Sequence, residues 1–122
     1  MNGLEYFEFD FERLDVYKKA LKFTKEIFKI TSKFSRELQY SLGDQFRRSA
    51  LSICNNIAEG SRKIGRSRVL FYNYALDSTR ECIPMISIAD DQNQIDHEKM
   101  KELRFECINI SKMLYRLAES AK

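Results

Sequence analysis

A chain of 122 residues with 43% apolar and 32% charged side chains can bury one core unaided and is too apolar to remain disordered. Gly occurs four times and Pro once, at Pro84, which excludes the turn-rich sandwiches and barrels. The net charge of +3 is uneven: residues 1–17 carry one Arg against five acids, residues 18–68 thirteen Lys/Arg against four acids, and residues 69–122 seven against nine, so the middle segment suits a polyanionic partner.

The opening "MNGLEYFEFDFE" is acidic and aromatic, with neither the basic start nor the apolar run of a secretory signal. From about residue 11 to 34 the pattern predicts a three-sided helix. Val16, Ala20, Phe23, Ile27, Ile30 and Phe34 form one apolar seam, and Tyr17, Leu21 and Phe28 form a second about 120° round the axis. Lys18, Lys22, Lys25, Lys29 and Lys33 occupy the third face. Two seams exceed what one place in a bundle needs, which points to packing against another copy.

"SREL" reads as a connection, and a second helix is predicted over about 42–59 with Phe46, Ala50, Ile53 and Ile57 as its core stripe. Gly60 follows where a left-handed cap residue is wanted, and 61–67, "SRKIGRS", reads as a basic loop. The third helix is expected over about 67–90, with Ser67 as N-cap and a kink at Pro84. "DDQNQ" is a turn, Asp96 caps the fourth helix, and Met100, Leu103, Cys107, Ile110, Leu114, Leu117 and Ala121 give it a heptad seam over about 96–121. Short loops make neighbouring helices antiparallel, so the expected fold is one all-α domain spanning 1–122, an up-down four-helix bundle.

Cys54, Cys82 and Cys107 are odd in number, follow no metal-like spacing and fall on apolar stripes; they read as free core thiols of a cytoplasmic protein. The longest uncharged stretch, from Ser49 to Ala58, is too short to cross a bilayer, so no membrane partner is expected. His97 is the one histidine and sits beside a cap; no metal cluster, Gly-rich phosphate loop or nucleophile motif is visible. The expectation is a non-enzyme without catalytic residues, metal or cofactor.

The second helix carries an unusual polar stripe. Arg48, Ser52, Asn55 and Glu59 fall within about 60° of one another, beside Gln45, Ser49 and Asn56. Ser78 and Glu81 on the third helix could meet them. Glu59 lies at the negative end of its helix dipole and requires a cationic partner from another helix, the basic loop or another copy. The stripe is either a satisfied scaffold that fixes helix register or a partner site, and the structural alternative is the more economical.

"QFRRSALSICNNIAEGSRK", "FYNYALDSTRECIP" and "NISKML", with the opening "FERLDVYKKAL", resemble the four-helix-bundle family encoded by intervening sequences in bacterial 23S ribosomal RNA genes, whose fold is shared by the accessory protein of diversity-generating retroelements. Gln45, Arg47, Arg48, Ser52, Asn55, Ile57, Ala58, Glu59 and Gly60 carry the signature, with Ala75, Ser78 and Glu81 from the third helix. Cys54 stands where proline is common, Leu76-Asp77 replaces a more usual Arg-Gly or Leu-Gly, and the loop from Arg62 to Arg68 is shorter by a glycine. The resemblance implies a homopentamer without catalytic residues, and in the retroelement branch contact with nucleic acid and a reverse transcriptase.

Two functions follow as expectations. Lys18, Lys22, Lys25, Lys29 and Lys33, with Arg62, Lys63, Arg66 and Arg68, would bind an RNA or DNA backbone without reading sequence. Alternatively the chain is a structural or protein-docking scaffold whose surplus apolar surface presents a platform.

Overall fold

A computed structural model describes residues 4–122. Four long helices carry it: α1 (Asp15–Thr31), α2 (Asp44–Ser61), α3 (Gly65–Asp91) and α4 (His97–Ser120), with no strand among the described residues. A 3-10 turn (Asp10–Arg13) precedes α1, and a helical turn (Arg36–Leu38) continued by a π-turn (Gln39–Gly43) leads into α2. α1 packs on α2 and α4, α2 on α3, and α3 on α4, so the helices enclose one core. Phe23, Ile27, Phe46, Ile53, Ile57, Ile86, Leu103, Ile110 and Leu114 are sealed in it. Each such side chain contributes roughly 1.5–3 kcal/mol by leaving water.

The ends of α1 differ from the sequence expectation. Leu14 is extended (φ −67°, ψ 131°), so α1 starts at Asp15 instead of residue 11. That break turns Phe11 back edge-on against Tyr17, ring centroids 4.9 Å apart. Tyr17 and Leu21 of the second seam are packed on the core within this chain, and Phe28 alone of that seam remains exposed. "SREL" is the first turn of a helical path into α2 and not a plain connection. The Arg47 guanidinium donates to Gln39 O at 2.9 Å, giving a carbonyl of the π-turn a partner, and pairs with Asp44 at 3.2 Å.

The largest correction concerns Gly60. It is no left-handed cap: α2 runs on through it to Ser61, and Gly60 is buried. Its lack of a side chain admits the neighbouring helix, since a Cβ there would meet Tyr72 Cε1 at 2.8 Å, Tyr72 Cδ1 at 2.9 Å and Phe71 Cβ at 3.2 Å. The left-handed residue is Gly65 (φ +58°), which opens α3 two residues earlier than Ser67 would have. Below Gly60, Ser78 Oγ donates to Ser52 Oγ at 2.8 Å, and the Asn56 amide donates to Ser52 O and Oγ at 2.8 and 3.0 Å. α3 continues through Pro84, which is exposed. At the start of α4, Asp96 accepts from Lys99 N at 2.7 Å, as an N-cap should.

Gly60→Ala sets two effects against each other. Alanine improves helix propensity by about 1 kcal/mol, whereas overpacking costs about 1–3 kcal/mol. The Tyr72 ring is only 3% exposed and cannot swing aside freely, so the clash prevails. A urea titration should show a lower midpoint at unchanged slope, corresponding to a net loss of up to about 2 kcal/mol. A stabilised variant would contradict the close approach.

Candidate nucleic-acid interface

The lysine row is set by the rotation of α1. Val16, Ala20, Phe23 and Ile27 face inward at 3% exposure or less, and at 100° per residue the lysines fall on the opposite side. Lys18, Lys22, Lys25, Lys29 and Lys33 are all exposed, the last in the turn beyond Thr31. None of their ammonium groups forms an ion pair or hydrogen bond among the described residues. From Lys18 to Lys29 the row covers about 16 Å at 1.5 Å per residue. One nucleic-acid strand places about five phosphates in that length at 3.4 Å each.

The basic loop is put together differently. Glu59 finds the cationic partners its place at the helix end requires: Arg62 Nε at 3.0 Å and Lys63 Nζ at 3.4 Å. The Arg62 hydrogen bond first, and the Lys63 one second, hold its carboxyl below the usual range. Lys63 also lies over the Phe71 ring, 5.6 Å from its centroid. Arg68 donates to Ser61 O at 2.8 Å and Gly60 O at 3.3 Å, capping the orphan carbonyls of α2. Arg66, in the first turn of α3 and not in a loop, is the cation of this group left without a partner among the described residues, so this cluster and the lysine row are not equivalent surfaces.

The polar stripe divides as well. Ser52 and Ser78 hold α2 to α3 with Asn56, and Arg47 secures the π-turn. Gln45, Arg48, Asn55 and Glu81 take no part in that network; they are exposed and make no hydrogen bond or ion pair among the described residues. Helical rotation explains the split for Arg48, Asn55 and Glu81, which lie outward of the positions that meet the neighbouring helix; Gln45 shares the rotation of Ser52 and Asn56 and sits in the first turn of α2.

Between α1 and α4 a niche of about 70 Å³ is lined by Lys19, Lys22, Glu106, Asn109 and Ile110. Glu106 Oε2 is buried there without a hydrogen-bond partner. Burial, then the Glu26 charge, raises its carboxyl above the ordinary value, opposed by Lys22 and Lys99. Cys107 beside it is raised to about 12, by burial first and the Glu106 charge second. Cys54, Cys82 and Cys107 are free and buried. No group of three or more His, Cys, Asp or Glu among the described residues is placed to hold a metal, and no helix is long and apolar enough to cross a membrane.

Residues 12–116 match the 23S rRNA-intervening sequence protein family. The chain belongs to that family. A solved structure with the same fold is that of a protein of unknown function from the S23 ribosomal protein family of Bacteroides thetaiotaomicron VPI-5482. It is 23% identical, covers 85% of this chain and 95% of its own, and superposes with a TM-score of 0.78. No curated protein sequence matches. As a 23S rRNA-intervening sequence protein, this chain also shows a surface that its seams did not announce. Phe105, Ile108 and Tyr115 of α4 are 63%, 47% and 60% exposed, beside Leu76 of α3. Their signal was present in the spacing, apolar residues three and seven apart on the side of α4 away from its heptad seam.

A carboxyl whose folded-state value is raised binds more protons folded than unfolded, so its destabilising effect grows as pH rises from about 4. Glu106→Gln removes that effect. The variant should melt above the parent at pH 7, with the gain shrinking toward pH 4. Calorimetry across that window checks it; a variant melting lower at pH 7 would show that the carboxylate has a partner.

Proposed function

We propose that this protein is a non-enzymatic, cytoplasmic homo-oligomer, a pentamer of antiparallel up-down four-helix bundles, that binds RNA or DNA backbone through the lysine row of α1. The single observation that carries the binding reading is the row itself: four exposed cations on α1 and a fifth in the turn after it, their ammonium groups unpaired among the described residues, while most cations of the α2–α3 connection are committed to Glu59 or to the end of α2. A helix kept soluble by charge alone would as readily intersperse acids. Lysine, a point charge on a flexible stem, suits phosphate contact better than base reading.

The antiparallel reading draws on contacts at both ends of the helices. Asp90 and His97 approach within 3.3 Å at one end of α3 and α4, and Val69 lies with Lys122 around one hollow at the other. Ser52–Ser78 and Gly60–Arg68 run the same way between α2 and α3, and Glu26–Lys99 between α1 and α4. Buried free thiols suit a reducing compartment. The exposed apolar face of α4 favours a second reading, a docking platform, and is compatible with the first.

Filter binding of single- and double-stranded RNA and DNA over a salt series tests the proposal. Five phosphate contacts predict a slope of log affinity on log salt of about −3.5 to −4.5. Changing Lys22, Lys25 and Lys29 to Gln should flatten it by about 2–3. Salt-insensitive binding, or full binding by the triple variant, would overturn it.

A further inference from the structure

We propose that the acidic, aromatic segment ahead of α1 in one copy docks on the outward face of α3 and α4 of a second copy. This rests on the self-assembly proposed above and adds the contact that joins one copy to the next.

The receiving face is apolar with a cationic rim. Phe105, Ile108 and Tyr115 stand in water on α4, and Leu76 of α3 closes a shallow groove with Tyr115, Ser111 and Lys112. Ile83, one heptad on from Leu76, extends it and is itself only partly buried. Around this strip lie Arg80, Arg104, Lys112 and Arg116, exposed and without an ion pair among the described residues. Asp77, beside Leu76, is the one exposed acid at the groove's edge without an ion pair among the described residues, and Glu119 pairs with Lys122; the other acids near the strip are directed elsewhere. Glu26 and Glu102 share Lys99, Glu106 lines the niche with α1, and Glu98 pairs with Lys101.

The segment has the opposite character. Glu5, Glu8 and Asp10 alternate with Tyr6, Phe7 and Phe9, which are 85%, 77% and 66% exposed. Its own chain offers Arg13 to Glu8 at 3.0 Å and to Asp10 at 3.9 Å, Glu12 as acceptor for the Tyr6 hydroxyl at 3.4 Å, and a stacked Phe11 to Phe9 at 5.8 Å, which leaves most of the aromatic surface wet. Negative charge with apolar rings thus matches positive charge with apolar rings. The lengths agree too. Residues 5–10 extended reach about 20 Å, and Phe105 to Tyr115 spans about 15 Å of helix.

Position decides between the chain's own face and a neighbour's. Phe9, Asp10 and Phe11 border a hollow with Ala58, Glu59 and Arg62, on the α1–α2 side. The α3–α4 face lies on the opposite side of the bundle, away from where the segment rests on its own chain. A donor patch on one side and an acceptor patch on the other make a heterologous contact, the kind that closes rings.

The test combines sedimentation velocity with peptide binding. The full chain should sediment as more than one copy. Chains lacking residues 1–10, or carrying Ile108→Ser with Tyr115→Ser, should sediment as smaller species with unchanged helical circular dichroism. A labelled peptide of residues 4–12 should bind the shortened chain, and at least tenfold more weakly when that chain also carries the two serines. Arg104→Glu with Arg116→Glu, both on the surface, should weaken it similarly and serves if the serine pair misfolds. Equal peptide binding with and without the face substitutions, or a shortened chain of parental mass, would overturn the docking. A monomeric parent would overturn the pentamer, and the peptide would still decide for or against the face.

Discussion

One constraint orders this molecule: the rotation of α1 about its own axis. Val16, Ala20, Phe23 and Ile27 are held inward against α2 and α4. The Thr24 hydroxyl adds a polar key, its single proton shared between Ala20 O at 2.8 Å and Ala50 O of α2 at 3.1 Å. Turning the helix by one residue would expose part of a seam worth roughly 1.5–3 kcal/mol per large side chain and bring lysines toward the core. The cationic row outside is the necessary counterpart of the sealed seam inside. A local packing decision thereby fixes the charge pattern presented to a partner.

The second determinant is the closeness of α2 and α3. Gly60 lets the Tyr72 ring approach the α2 backbone, Ala75 is fully buried, and Ser52 and Ser78 satisfy each other where larger groups would separate the helices. This closeness carries into the turn. With α3 beginning at Gly65, Arg68 lies within reach of the last carbonyls of α2, and Glu59 gathers Arg62 and Lys63. Charges that look in the sequence like a contact patch are largely consumed in holding a three-residue connection.

The four helices and the sealed face of each were legible because apolar residues recur at the helical period and Asp96 caps in the ordinary way. Gly60 was misread for a physical reason: a glycine near a helix end is usually a cap, and only Tyr72, twelve residues on, reveals it as a packing site. The helical path from Arg36 to Gly43 was missed because a π-turn breaks the 3.6-residue period. Arg48 and Ser52 share a stripe on a helical wheel, yet Ser52 meets α3 while Arg48 meets solvent, a distinction of a few tens of degrees that a wheel does not resolve. Tyr17 and Leu21 look like surplus on a helical wheel, yet both pack against the core, and Phe11 folds back upon Tyr17 because the chain breaks at Leu14.

The surfaces that remain have separate tasks in this account: lysines on α1 for a polyanion, and an apolar face on α3 and α4 for another copy. Lysine acetylation footprinting, read by mass spectrometry with and without a single-stranded RNA, tests the first most directly. The account predicts protection of Lys18, Lys22, Lys25, Lys29 and Lys33 on adding RNA, with Lys101 and Lys112 reacting as before. Protection spread evenly over all lysines, or confined to those outside α1 and the turn after it, would contradict it.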